Sequence, residues 1–276
     1  MSSTVKGFYD LCVDVTNNKD VDGLIKKLYL DGYRIIAINQ TIDEKVLDYK
    51  KKTKVNNESK HLLNKLVDTY NDIKRRNNVN EQLILLNRLT FIYSDPAKIY
   101  ALNQLENFVQ TFDLIAVIPV GNDALQYACT NSIADVITIN SFCTSVKLNR
   151  KLYSQAVEKG IFFEIQYADL ISPTKRKNMM PLVHSFYIYG KSKNVIISSG
   201  ASHKIFVRNP YDIINLGCIL GLNEIQAKAC ISTHCQNLLT RSEGRKYGKG
   251  LFTICPTNEK NTNMIIESSS DTDDDC

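Results

Sequence analysis

The chain has no tryptophan, and its 276 residues include four histidines and six prolines. These shortages exclude much chemistry. No HxH, HExxH or CxxC spacing occurs, so the common zinc-ligand patterns are missing. A GxGxxG turn, a Walker loop and a GxSxG elbow are absent as well. No apolar run approaches the roughly 18 residues that a membrane helix needs. The opening MSSTVKGFYD has no apolar signal core, so secretion is not expected. Eight cysteines are scattered along the chain. Without a secretory leader, reduced thiols in a nuclear or cytosolic compartment are expected.

What is present argues for a folded, basic body. Hydrophobic residues make up 43% and charged residues 23%, enough to bury a sizeable core. The formal net charge is +5, but it is uneven. Thr257–Cys276 holds six acids and one base, which leaves 33 basic against 23 acidic residues in the rest, a net of +10. A basic body with an acidic tail fits a polyanionic partner, and solubility alone is the plainer reading. The tail is expected to be disordered.

Seven β-rich runs recur: Tyr9–Val15, Arg34–Asn39, Leu83–Tyr93, Leu114–Val120, Val136–Phe142, Ile161–Tyr167 and Asn194–Ser199. Most are nearly continuous hydrophobics, as expected of parallel strands buried on both faces. Helix signals fall between them. Asp95-Pro96 reads as a cap followed by a first helical residue, Asn122 as a cap, and Asn209-Pro210 as another start with Gly221 as its stop. Asn223 opens a single helix running to about Gly244. Pro181 predicts a helix that is broken or begins late.

This alternation predicts an α/β protein, an incomplete TIM-like (β/α) barrel of about seven parallel strands with an extra C-terminal helix. Residues 1–256 form one domain in this reading, with a Lys/Asn-rich insertion at 43–81, and 257–276 are the tail. Leu62, Leu63, Leu66, Val67, Tyr70 and Ile73 give the insertion one amphipathic helix. Lys204–Arg208 is a weak candidate for an eighth strand. A doubly wound open sheet is the alternative.

Several residues carry candidate chemistry. Asp10, Cys12 and Asp14 alternate on the first strand; the two carboxylates either hold a divalent cation through oxygen or bond to neighbouring backbone or a buried Arg. Arg88 is a charge in mid-strand. It either closes an internal ion pair, with Asp10 or Asp14, or reaches the barrel mouth towards phosphate. Cys230, His234 and Cys235 look like a ligand cluster but lie in an amphipathic helix with no second ligand pair, so no metal site is expected.

Basic clusters are plentiful. Lys147, Arg150 and Lys151 follow the fifth strand, and Lys175, Arg176 and Lys177 follow the sixth. Loops at that rim carry function in barrels. Six cations there suit a phosphate backbone, and the alternative is a solvated face. Arg208 precedes a helix start, where it contacts phosphate or pairs with Asp212. With no Trp and thinly spread aromatics, recognition of folded RNA by shape is expected.

GYRIIAIN (Gly32–Asn39), RLTFIYSDP (Arg88–Pro96), KNVIISSGA (Lys193–Ala201), RNPYDIINLGCILGL (Arg208–Leu222) and STHC (Ser232–Cys235) resemble the thirty-kilodalton protein subunit family of eukaryotic nuclear ribonuclease P and ribonuclease MRP. The opening YDLCVD fits too. The resemblance runs from about Tyr9 to Leu251 and leaves out the insertion and the tail.

It implies an incomplete barrel related to the polymerase-and-histidinol-phosphatase phosphoesterases. It also implies a non-catalytic RNA-binding role, without cofactors, in a ribonucleoprotein that removes the 5′ leader from precursor tRNA and, as ribonuclease MRP, processes pre-rRNA. The RNA is then the catalyst. The implied partners are the ribonuclease P/MRP RNA, precursor tRNA and other protein subunits, with no membrane, in the nucleus and nucleolus. The metal-binding histidines of the phosphoesterase relatives have no match in DLCVD. Two other readings are a metal-dependent phosphoesterase using Asp10, Asp14 and Glu164, and a scaffold that touches only protein.

Overall fold

The computed structural model describes residues 7–16, 20–44, 57–77, 82–97, 110–131, 133–143 and 145–248. The acidic tail and most of the helix expected after Asp95-Pro96 lie outside the described residues; Asp95 itself caps Ala97 through its side chain at 2.9 Å. Seven strands form one sheet in sequence order: β1 (Phe8–Asp14), β2 (Tyr33–Asp43), β3 (Ile84–Tyr93), β4 (Leu114–Pro119), β5 (Val136–Ile139), β6 (Phe162–Gln166) and β7 (Val195–Ser198). Every neighbouring pair is parallel. The sheet curls until its edges touch. Val13 bridges Ala201, the Asp14 amide donates to the Ala201 carbonyl at 3.0 Å, and the Gly200 amide donates to the Cys12 carbonyl at 2.9 Å.

The strand period of two sorts the apolar residues into two layers. Ile35 and Ala37 of β2 point into the barrel with Leu86, Leu114, Ala116, Val136, Phe162 and Ile196. Ile36 and Ile38 point outward against α1 (Val21–Leu30), whose Leu24, Ile25 and Leu28 are buried. This two-sided burial is why the strands read as continuous hydrophobic runs. The β2-to-β3 crossover is α2 (Asn57–Asn77), in the stretch expected as an insertion; Tyr70 and Ile73 are buried beneath it, and the Tyr70 hydroxyl donates to the Leu85 carbonyl at 2.8 Å.

Among the described residues, six further helices form the shell and floor: α3 (Asn122–Asn131), α4 (Arg150–Glu158), α6 (Pro173–Gly190), α7 (Pro210–Ile219), α8 (Glu224–Cys230) and α9 (Thr233–Tyr247), with the one-turn α5 (Tyr167–Ile171) between β6 and α6. Asn209 caps α7 through the Tyr211 amide, and Gly221 follows it at φ +98°, as expected.

Five local expectations need correction. Lys204–Phe206 is a 3-10 turn rather than an eighth strand, because His203 caps the Ile205 amide and Ile205 faces solvent. The chain breaks at Ser172-Pro173, and α6 runs through Pro181, held by buried Met179, Val183 and Phe186 on its inner face. Asn223 opens α8 with a capping box, but α8 ends at Cys230 and α9 begins anew at Thr233. Asn122 lies inside the first turn of α3, and its side chain accepts the Lys147 amide instead of capping. Finally, β5 stops at Ile139, three residues short of Phe142.

α9 closes the N-terminal end of the barrel. Its Cys235 and Leu238 pack on the inward residues of the lowest layer. Arg241 and Arg245 reach Asp135 at 2.9 and 3.0 Å, Lys246 reaches Asp113 at 2.7 Å, and the His234 ring bonds the Val195 carbonyl at 2.7 Å. The Cys230-to-Cys235 cluster is therefore helix packing, with both thiols buried. Burial pushes the Cys230 thiol up to about 12, the profile of an inert core cysteine.

Gly190, the last residue of α6, shows how tightly the shell is packed. A Cβ there would sit 1.9 Å from Cε1 of Tyr153. That ring stacks on Phe163 with centroids 4.9 Å apart, and its hydroxyl donates to the Lys193 carbonyl, so it has nowhere to withdraw. Gly190→Ala is expected to cost about 1–3 kcal/mol of stability in urea unfolding. Unchanged stability would mean that α6 shifts freely.

Candidate functional site

Above its apolar floor the barrel interior is polar. Arg88 of β3 and Glu164 of β6 face each other across the lumen, both wholly buried, with Nη1 to Oε1 at 2.5 Å and Nη2 bound to Oε2. The remaining lone pairs and protons are taken up. Thr138 donates to Oε2 at 2.7 Å, Ser198 donates to Oε1, and Arg88 donates to the Leu11 carbonyl and to Thr90. Burial alone would raise the Glu164 pKa. The Arg88 guanidinium and the hydrogen bonds from Ser198 and Thr138 outweigh it and hold the carboxyl below its ordinary value.

Arg88 is therefore closed to RNA, and its partner is Glu164 rather than Asp10 or Asp14. The two are 76 positions apart and meet because the closing of the sheet sets β3 and β6 across the lumen from each other. A signal for this was present: IFFEIQY places one acid in an apolar strand, the counterpart of one base in LNRLTFIY.

Asp10 sits on β1 beside this pair. Its Oδ1 accepts the Ser199 amide at 3.0 Å and the Cys12 amide at 3.3 Å, and Oδ2 has no hydrogen-bond partner among the described residues. Burial raises its pKa to about 6 against an ordinary value of 3.8, with the two amides pulling down and the Glu164 charge adding to the rise. The folded protein thus holds this proton more tightly than the unfolded chain. The stability this proton contributes is complete below about pH 4 and is lost as pH rises through about 6, a fall of roughly 2–3 kcal/mol. Asp10→Asn keeps the acceptor for both amides and removes the charge. It should be more stable than the parent by about 2–3 kcal/mol at pH 7 and equal to it below pH 4. A difference independent of pH would contradict this.

The register slips between Asp10 and Val13, so the expected shared face is lost. Asp14 turns to the surface and holds Thr16 at 2.7 Å. With Glu164 sealed by Arg88, the carboxylates of the phosphoesterase reading do not converge. No cluster of three or more His, Cys, Asp or Glu that could hold a metal occurs among the described residues.

The basic residues of the C-terminal rim divide into two sets. Lys147, Arg150, Lys151 and Lys177 are exposed and form no ion pair among the described residues. Lys175 instead binds Asp169 at 2.8 Å, and the other oxygen of Asp169 accepts the Ser141 amide at 2.9 Å. Arg176 donates to the carbonyls of Leu170 and Ile171, which end α5. Arg208 donates to the Ile205 and Val207 carbonyls, not to Asp212. Lys175, Arg176 and Arg208 therefore also hold the loops together, so two of the six rim cations expected as one patch are engaged within the chain. α4 and α6, which carry the free cations near their starts, pack side by side.

These features describe a barrel whose lumen is plugged by an ion pair and whose rim carries exposed cations after β5 and β6, the form of a binding subunit. The sequence matches the family described as RNase P subunit p30 over residues 7–247. It is 30% identical over 240 residues to the mouse ribonuclease P protein subunit p30, covering 85% of each chain. It is also 30% identical over 217 residues to the ribonuclease P/MRP protein subunit RPP1 of Saccharomyces cerevisiae, covering 76% of this chain and 69% of that one. In fold it resembles a chain of archaeal ribonuclease P solved with mature tRNA, at TM-score 0.63 and 12% identity, over 92% of this chain and all of that one. A Listeria monocytogenes protein described as a histidinol phosphatase shares the fold at TM-score 0.52 and 8% identity, over 74% of this chain and 98% of that one. The chain belongs to the RNase P subunit p30 family, and its role is that of a ribonuclease P protein subunit.

Proposed function

We propose that this chain is a non-catalytic, RNA-contacting subunit of ribonuclease P and ribonuclease MRP. Its RNA partner carries out phosphodiester hydrolysis on precursor tRNA and pre-rRNA. The observation that carries this reading is the closed Arg88–Glu164 pair, which takes Glu164 out of any carboxylate set at the C-terminal ends of the strands, where barrel enzymes keep their reacting groups. Its partners are the ribonuclease P/MRP RNA, precursor tRNA and the other protein subunits. A nuclear site of action goes with these eukaryotic relatives, and the nucleolus follows from work on pre-rRNA.

RNA contact falls to the exposed cations Lys147, Arg150, Lys151 and Lys177. Each phosphate contact steepens log K against log[salt] by roughly 0.7–0.9. The K147A/R150A/K151A variant should flatten the slope by about 2, similarly for different RNA sequences. Thermal stability should hold, since these three side chains are in solvent. An unchanged slope, in the free chain and in the assembled particle, would move the RNA contact elsewhere. Metal-dependent cleavage of precursor tRNA by the purified chain would overturn the non-catalytic reading.

A further inference from the structure

We propose that Phe142 is a stacking platform for an unpaired RNA base, with Lys147, Arg150 and Lys151 of the same loop holding the neighbouring phosphates. The inference rests on the RNA-contact reading above and narrows it to single-stranded or looped RNA. β5 ends at Ile139, and the chain turns so that Phe142 is 59% exposed. The turn is fixed without help from the ring. Asn140 accepts the Phe142 amide through Oδ1 and the Cys143 amide through its carbonyl, both at 3.0 Å. Ser141 is tied to Asp169, Lys147 to Asn122, and the Cys143 side chain is buried. An apolar ring is thus held in water on a pinned loop, where it adds little to the core.

Its surroundings point to an anion-bearing occupant. From Asn140 to Leu152 the chain has three cations and no acid. The first turn of α4 holds no acid either, so the positive end of the helix dipole adds to the field. Asp169, which accepts the Ser141 amide, is paired with Lys175, and the nearest acid in sequence to the Lys147 contact is Asp123, beside Asn122. An aromatic face accepts any base, and cations beside it take the phosphates, the combination by which proteins hold single strands.

The absence of tryptophan gives a direct test with the full chain. In the Phe142→Trp variant the indole is the sole tryptophan, and base stacking should quench its fluorescence. A single-stranded RNA of about 12 nucleotides should quench it, while the duplex of the same sequence and a polyglutamate of equal length should not. Phe142→Ala should weaken single-strand binding roughly 5- to 100-fold and leave the salt slope unchanged, because stacking releases no counterions. Binding of the strand without quenching, or equal quenching by polyglutamate, would overturn the role of Phe142 and leave the RNA-contact reading in place. An unchanged salt slope in K147A/R150A/K151A would overturn that reading and this one together.

Discussion

Glu164→Gln is expected to cost roughly 3–5 kcal/mol of stability, the loss that follows when one partner of a buried ion pair is removed. The size comes from what is left behind. Arg88 would stay in the lumen with its charge uncompensated, 0% exposed and with no route to water. The neutral amide still accepts from Ser198 or Thr138, so the loss isolates the charge rather than the shape. The double variant R88M/E164M should recover most of it, because apolar replacements of a buried pair are often neutral or better. Urea unfolding of R88M, E164M and the double gives the coupling directly. If Glu164→Gln loses less than about 1 kcal/mol, water reaches the lumen and the plugged barrel is wrong.

Asp135→Ala is expected to cost a similar amount and to act on one element. Asp135 is wholly buried and takes Arg241, Arg245 and the Ile115 amide on its two oxygens. Without it, two guanidiniums on α9 lose their shared carboxylate beside the barrel floor and are left with bonds to backbone carbonyls. The hydrogen bond from the Tyr9 amide to the Ile231 carbonyl, at 3.1 Å, anchors the start of this closure and should survive. Hydrogen exchange should therefore rise across Thr233–Tyr247 and remain slow in β3 and β4. Uniformly faster exchange would mean that the helix and the barrel unfold as one unit.

The difference between these two sites shows what a sequence displays. All seven strands were legible because both faces of each are buried, which leaves continuous apolar runs such as LIAVIP. Arg88 stood out for the same reason, as a charge in such a run. Glu164 stood out in the same way in IFFEIQY, but their pairing did not, because register across the lumen decides which acid meets Arg88, and β1 slips at Asp10. Arg241 and Arg245 stand in a basic stretch with Lys246 and Lys249, where nothing local marks a partner. Their role depends on a helix folding back beneath the barrel, which no local pattern encodes. The rim is the converse case: Lys175 and Arg176 resembled Lys177, and loop geometry alone tells them apart. Phe142 was hidden at the end of an apparent strand, because VITINSF reads as β throughout while Asn140 and Ser141 turn the chain.

The most direct measurement of the central claim is recovery of the tagged full chain from cells under mild salt, followed by sequencing of the RNA that comes with it. The account predicts enrichment of ribonuclease P RNA and ribonuclease MRP RNA, reduced in the K147A/R150A/K151A variant as salt is raised. Recovery of the intact chain with no RNA enriched above an untagged control would contradict it.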